Sequence, residues 1–173
     1  MFSIIIPTFN SFQYLKLCLK SIKQNSKYNH EIIFHVNDGF DGTLDFVKKN
    51  NYKHTHSTDN IGLCKSINLA AKLSTKKCLL YAHDDMYFCP GWDIVLLNEV
   101  NNIKDDLYYL SGTMIEAKSG HIKFDCGENI DNFDETKLLN NYKKINLYDH
   151  QGTHFAPHLV SKNIWNKVGG FSE

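Results

Sequence analysis

The sequence predicts an α/β fold, with a mostly parallel central sheet flanked by helices and a mixed later portion. Two observations carry this. Short β-branched runs alternate with segments of helical period through the first 90 residues. Three of those runs end in polar clusters, Pro7-Thr8-Phe9-Asn10, Asn37-Asp38-Gly39 and His83-Asp84-Asp85. In open parallel sheets, ligands gather at the carboxyl ends of strands.

Each element has its own reason. Residues 2–6 form an apolar run that stops at Pro7 and reads as a buried strand. Asn10 or Ser11 can cap a helix that carries Phe12, Leu15, Leu19 and Ile22 at helical spacing. Residues 31–36 form a second strand, and Asp41-Gly42-Thr43 opens a second helix. Residues 54–58 suit a short third strand, residues 62–73 a third helix and residues 78–82 a fourth strand. The later portion is less regular. A helix is expected around residues 94–100, and a strand over 107–115 returns as a hairpin at 122–124 after Ser119-Gly120. Residues 125–146 are polar, with a weak helix near 135–140, and suit a surface loop or lid. A strand over 156–160 then leads to a helix capped by Ser161 and ended by Gly169-Gly170.

Composition limits the function classes. The chain has 173 residues, 19 Lys plus Arg against 19 Asp plus Glu, and every cation is lysine. The balance argues against a nucleic-acid binder, and no site can rest on bidentate arginine forks. An anionic ligand must therefore be met by lysine, backbone N–H groups or a metal. Hydrophobic content of 42% excludes wholesale disorder. The five cysteines form no C-x-x-C pair, which fits a reducing compartment rather than a disulfide frame. With no membrane-length apolar run and no signal peptide, a cytoplasmic domain is expected.

The clusters admit more than one reading. Asp84-Asp85 stands where a strand gives way to a loop; the pair suits Mg²⁺ or Mn²⁺, or a solvated turn. Asp38 can accept an imide N–H of a base or cap a turn, and Thr8 and Asn10 are ordinary helix-entry types. His83 is an acceptable Mn²⁺ ligand or a residue closing a strand. His150, His154 and His158 cluster late, but Pro157 and a missing glutamate argue against a helical zinc pair. No G-x-G-x-x-G follows the first strand, against a nicotinamide-binding domain, and no Gly-rich basic loop suggests a nucleotidyltransferase.

Taken in order, these elements resemble family 2 glycosyltransferases of the GT-A fold. Ile4-Ile5-Ile6-Pro7-Thr8-Phe9-Asn10 is similar to that family's opening strand. Val36-Asn37-Asp38-Gly39-Phe40-Asp41-Gly42-Thr43 resembles its V-D-D-G-S-T-D-G-T element, one residue shorter and with Asn37 for the first acid. Asn60-Ile61-Gly62 with Asn68 and Ala71, the strand ending in Asp84-Asp85-Met86, and Val168-Gly169-Gly170-Phe171-Ser172-Glu173 match further elements.

The resemblance implies one domain over residues 1–173. Residues 1–90 would form the nucleotide- and metal-binding half. Residues 91–173 would form an acceptor-side half, expected to be incomplete at its carboxyl end. It implies a nucleotide-diphospho-sugar donor, a UDP-sugar first, a Mn²⁺ or Mg²⁺ cofactor, and inverting transfer to a glycan, lipid or protein acceptor. Pro7, Thr8, Asn10, Asp38, Gly62, Lys65 and Asp84 would line the nucleotide-sugar site, with Asp85 as metal ligand and His154 near the donor sugar. The base is expected beyond Glu173; Glu173 itself, Asp131, Asp134 and Asp149 are in-chain alternatives. A non-catalytic nucleotide-sugar-binding domain is the other reading.

Overall fold

Near-continuous apolar runs along the central strands build a sheet buried on both faces. In the computed structural model, which describes residues 1–145 and 156–173, β1 (Phe2–Phe9), β2 (Glu31–Asn37), β3 (Lys53–Ser57) and β4 (Cys78–Tyr81) run parallel. The helices α1 (Phe12–Asn25), α2 (Thr43–Lys49) and α3 (Leu63–Ala71) connect them. Then follow α4 (Trp92–Asn102), β5 (Tyr109–Ser111), β6 (Ile115–Glu116), β7 (Ile122–Lys123) and α5 (Glu135–Asn141). β8 (His158–Ser161) and α6 (Lys162–Val168) complete the described elements. Among the described residues, six strands form one sheet in the order β3-β2-β1-β4-β8-β5. β8 runs antiparallel to β4, which makes the later portion mixed as expected.

One face of β1 buries Phe2, Ile4 and Ile6 with Leu15, Cys18 and Leu19 of α1 and Val47 of α2. Ile5 points the other way, into a group with Ile67 and Ala71 of α3, Leu79, Val160 and Trp165. A sheet covered on both faces needs near-continuous apolar strands, which is why residues 2–6 read as an unbroken run. Each fully buried isoleucine contributes about 1.5–3 kcal/mol.

Local details depart from expectation for physical reasons. β1 does not stop at Pro7 but continues to Phe9, paired with β2 throughout. Ile5 accepts from Ala82 N on the β4 side, and β4 ends at Tyr81. Pro7 lies two residues on, facing the same side, so its missing N–H costs no ladder bond. Ser11 is the N-cap residue of α1, as expected, but its side chain makes no capping hydrogen bond. Ser11 Oγ donates to Phe9 O, and Asp41 Oδ2, from the loop before α2, accepts from Phe12 N at 2.8 Å. The expected strand over 107–115 is two pieces, β5 and β6, and β6 pairs with β7 in parallel rather than as a hairpin. Both His121 N and Ile122 N donate to Met114 O, which wraps the chain around that carbonyl. Ser161 Oγ does cap α6, and Gly169 ends it in a left-handed conformation.

The chain divides into two compact units, residues 1–110 with 157–173, and residues 111–156. The second holds β6, β7 and α5. Asp134 caps α5 by accepting from Lys137 N at 2.8 Å, and Asn132 Oδ1 accepts from Glu128 N and Asn129 N. Among the described residues, no helix is long and apolar enough to cross a membrane.

Candidate functional site

β1, β2 and β4 are neighbours in the sheet, so their three polar carboxyl ends arrive side by side. Pro7, Thr8, Phe9, Ser11, Asn37, Asn60, Gly62, Leu63, His83 and Asp84 line one open cleft of about 270 Å³. Four residues expected at the site, Pro7, Thr8, Gly62 and Asp84, therefore share a cavity although they come from three separate stretches of sequence.

Asn37 is the hub behind that cleft and is 4% exposed. Its Oδ1 accepts from Ile61 N at 3.0 Å and from Ser57 Oγ at 3.2 Å. Its Nδ2 donates to Ser66 Oγ at 3.1 Å and to Thr8 O at 3.4 Å. Ser66 Oγ in turn donates to Gly62 O at 2.6 Å. One amide thus joins the ends of β1, β2 and β3 to the start of α3. An amide can do so because it both donates and accepts; an aspartate there would set a negative oxygen against Thr8 O.

Asn10 and Asp38 form a second tie. Asn10 Nδ2 donates to Asp38 Oδ2 at 3.3 Å, and Asn10 Oδ1 accepts from Gly39 N at 3.1 Å. Both residues hold left-handed backbones, φ 48° and 59°, which non-glycine residues adopt rarely and at a cost of about 1–3 kcal/mol. Gly39, φ 87°, is required: a Cβ there would lie 2.7 Å from Val36 Cγ1. The pair stands beside the cleft and is not among the residues lining it.

Electrostatics single out Asp84. Burial, first of all, pushes its carboxyl above the ordinary carboxylate range, and the charge of Asp85 adds to this. The nearby Thr8 hydroxyl pulls in the opposite direction without making a hydrogen bond of ordinary geometry. Thr8 Oγ1 is therefore a buried, unpartnered hydroxyl at 3% exposure, on the wall of the cleft. Thr8 Oγ1 thus keeps hydrogen-bonding capacity for a polar ligand entering the cleft. His83 engages Tyr81 Oη through Nε2 at 2.5 Å.

Other expected residues fall elsewhere. Asp85 is exposed just past Asp84, and Lys65 is exposed on the first turn of α3, outside the cleft lining. Asn68 holds the last turn: it donates to Phe171 O at 2.8 Å and Glu173 Oε1 at 3.0 Å, and accepts from Phe171 N at 2.9 Å. His158 is buried in β8. Asp149, His150 and His154 lie outside the described residues. Among the described residues, no three His, Cys, Asp or Glu side chains gather in a metal-binding group. Sequence reasoning missed Asn60 and Leu63 as cleft residues and Asn37 as its hub.

The same order of elements recurs in known proteins. Residues 3–159 match the model of glycosyl transferase family 2. The chain belongs to that family. This family 2 member also superposes on solved GT-A structures. *Staphylococcus aureus* TarS 1-349 is 18% identical with a TM-score of 0.69, and the match covers 96% of this chain and 48% of that one. The complex of TarS 1-349 with UDP is 21% identical over the same shares, also at TM-score 0.69. The mannosyltransferase PcManGT from *Pyrobaculum calidifontis*, solved with GDP-Man and Mn²⁺, is 15% identical at TM-score 0.62, over 99% of this chain and 47% of that one. The chain thus spans about half the length of these structures. At such identities the likeness shows the GT-A fold. No curated protein sequence matches the chain.

Proposed function

We propose that this chain binds a nucleotide-diphospho-sugar, a UDP-sugar first, and takes part in metal-dependent, inverting transfer of the sugar to a hydroxyl acceptor. The observation that carries the reading is the convergence of three strand ends on one cleft, where the unpartnered Thr8 hydroxyl faces an Asp84 carboxyl held above its ordinary range. Family membership supports it, as do solved relatives: TarS in complex with UDP and with UDP-GlcNAc, and PcManGT with GDP-Man and Mn²⁺.

In this reading Pro7, Thr8 and Gly62 bound the nucleoside pocket. Asp38, steadied by Asn10, accepts an N–H of the base. Asp84 meets the ribose or sugar, and Lys65 adds long-range attraction for the diphosphate. Residues 1–90 serve as the nucleotide- and metal-binding half and residues 91–173 as the acceptor-side half. The donor set fits a hard divalent cation: two adjacent carboxylates, one whose charge is disfavoured by burial and by its neighbour until a cation offsets it, beside the Thr8 hydroxyl. Asp85, with Asp84 beside it, would hold Mn²⁺ or Mg²⁺, which supplies neutralisation of the departing diphosphate in a chain without arginine.

Calorimetric titration with UDP, GDP and CDP, each with and without Mn²⁺, tests the reading. UDP with Mn²⁺ is expected to bind tightest, and Asp85→Ala to erase the metal's contribution. Equal heats for the parent and Asp85→Ala would refute the metal assignment. The absence of any nucleotide binding would refute the reading as a whole.

A further inference from the structure

His83 stands just past β4, half-buried on the lining of the cleft, and its ring is held by a residue of the core. Tyr81 Oη and His83 Nε2 are 2.5 Å apart, with the ring centres 5.2 Å apart and the planes inclined at 38°. Tyr81 is 7% exposed and packs edge-on to Phe171 at 6.0 Å, beside Ile5, Ile67 and Leu79. Phe171 is fixed in turn. Asn68 of α3 donates to its carbonyl and accepts from its N–H, and Trp165 of α6 meets its ring edge-on at 5.1 Å. Packing from α3, α6 and the last turn thus locks one hydroxyl against one imidazole nitrogen.

The direction of that bond follows from what each atom can do. Among the described residues, Tyr81 Oη has no hydrogen-bond partner besides His83. If Nε2–H donated to it, the buried phenol proton would be left unpaired, a cost that a phenol donating to Nε2 avoids. Burial, first of all, raises the Tyr81 hydroxyl above the ordinary phenol range, so it keeps its proton. Tyr81 therefore donates and Nε2 accepts. The proton of the neutral ring is then on Nδ1. Nδ1 makes no hydrogen bond among the described residues and is not buried, on a residue that lines the cleft. A neutral ring in this tautomer, tied to Tyr81, has no lone pair free for a cation.

We propose that His83 selects nucleoside diphosphates: its Nδ1–H donates to a β-phosphate oxygen, in the tautomer that Tyr81 imposes. His83 directly precedes Asp84 and Asp85, the carboxylates assigned to the cation, so the group closest to hand is the diphosphate which that cation would neutralise. In a chain without arginine, a fixed neutral N–H adds directional recognition of this anion that a flexible lysine does not supply. His83 stands outside the ligand set of the metal, which is left to Asp84 and Asp85. Tyr81 acts through His83 and is a positioning residue. The inference rests on the nucleotide-sugar reading of the cleft.

Ring ¹⁵N chemical shifts test the tautomer on the chain without nucleotide, at about pH 8, where imidazoles are ordinarily neutral. His83 Nδ1 is expected at the position of a protonated nitrogen and Nε2 at that of an unprotonated one, and Y81F should return the ring to a mixture of tautomers. Calorimetry with UDP and with UMP, each with Mg²⁺, tests the contact. H83Q keeps a polar group for Tyr81 but has no donor at the place of Nδ1. It should lower UDP affinity about tenfold and UMP affinity by about twofold or less. H83N puts its amide nitrogen at that place and should recover most of the loss. Y81F should lower UDP affinity by about two- to threefold. The opposite tautomer, equal losses of UDP and UMP in H83Q, or an H83Q variant that binds UDP as the parent does would overturn the inference and leave the nucleotide reading intact. A parent that binds neither nucleotide overturns that reading, and this inference with it.

Discussion

The two ends of the same sheet treat their most buried acids in opposite ways. At the amino edge every prominent acid is saturated. Asp93 is fully buried and accepts from Lys27 N, Tyr28 N and His30 Nε2, and His30 Nδ1 accepts from Phe2 N. Glu31 accepts from Lys53, Ser3 and both Thr75 N and Thr75 Oγ1. Burial alone would raise both carboxyls, yet their hydrogen bonds overcome it: Asp93 falls below its ordinary range and Glu31 falls to about 2. At the carboxyl edge, burial wins at Asp84, Thr8 lacks a partner, and Asn10 and Asp38 hold left-handed backbones. The saturated acids at the amino edge stabilise the fold, whereas the raised Asp84 and the left-handed Asn10 and Asp38 cost stability and stand at or beside the cleft, the pattern expected of a binding edge.

If that contrast is right, the largest stability effect lies at the edge without a cleft. Asp93→Ala would strand the His30 ring N–H and two backbone N–H groups in a buried site, for a loss of about 3–5 kcal/mol by urea denaturation. A loss below about 1 kcal/mol would erase the distinction between the edges.

Acid should act next, and with opposite signs at the two ends. Because the Glu31 carboxyl is held down to about 2, its stabilisation is complete above the unfolded value near 4.5 and is lost as pH falls toward 2. Its share is about 2 kcal/mol after allowance for its half-exposed lysine partner. His30, depressed mainly by burial, also costs stability as pH falls below 6.5. Asp84 behaves in reverse: its raised folded value means that stability is gained as it protonates. Glu31→Gln should therefore flatten the acid limb of a stability–pH curve, and Asp84→Asn should steepen it.

The smallest stability change is expected at Asp84 itself. Asp84→Asn removes a disfavoured charge, so stability at neutral pH should hold or rise by up to about 1 kcal/mol, while UDP affinity falls about tenfold or more. A variant that loses stability and keeps affinity would reverse the assignment of the two edges.

Much of this was legible in the sequence because it is local. Runs of β-branched residues located β1 and β2, helical spacing located α1, and Ser161 with Gly169 bounded α6. The ordered strand-end motifs located Thr8 and Asp84. What escaped was made by contacts across the chain. Asp41 caps α1 from 29 residues away, and His30 meets Asp93 across 63. Asn37 reads in sequence as the loss of an acid, but its role as a hub depends on Ser57, Ile61 and Ser66 arriving together. The end of β1 was misplaced because Pro7 breaks a strand only where its missing N–H is needed, and that depends on where β4 stops.

The most direct test is an amide NMR titration of the chain with UDP and Mg²⁺. Shifts are expected at Thr8, Asn10, Asp38, Gly39, Gly62, Asp84 and Asp85, with Lys27, Tyr28 and Thr75 unmoved. Shifts centred on the amino edge, or none at saturating nucleotide, would contradict the assignment of the cleft as the donor site.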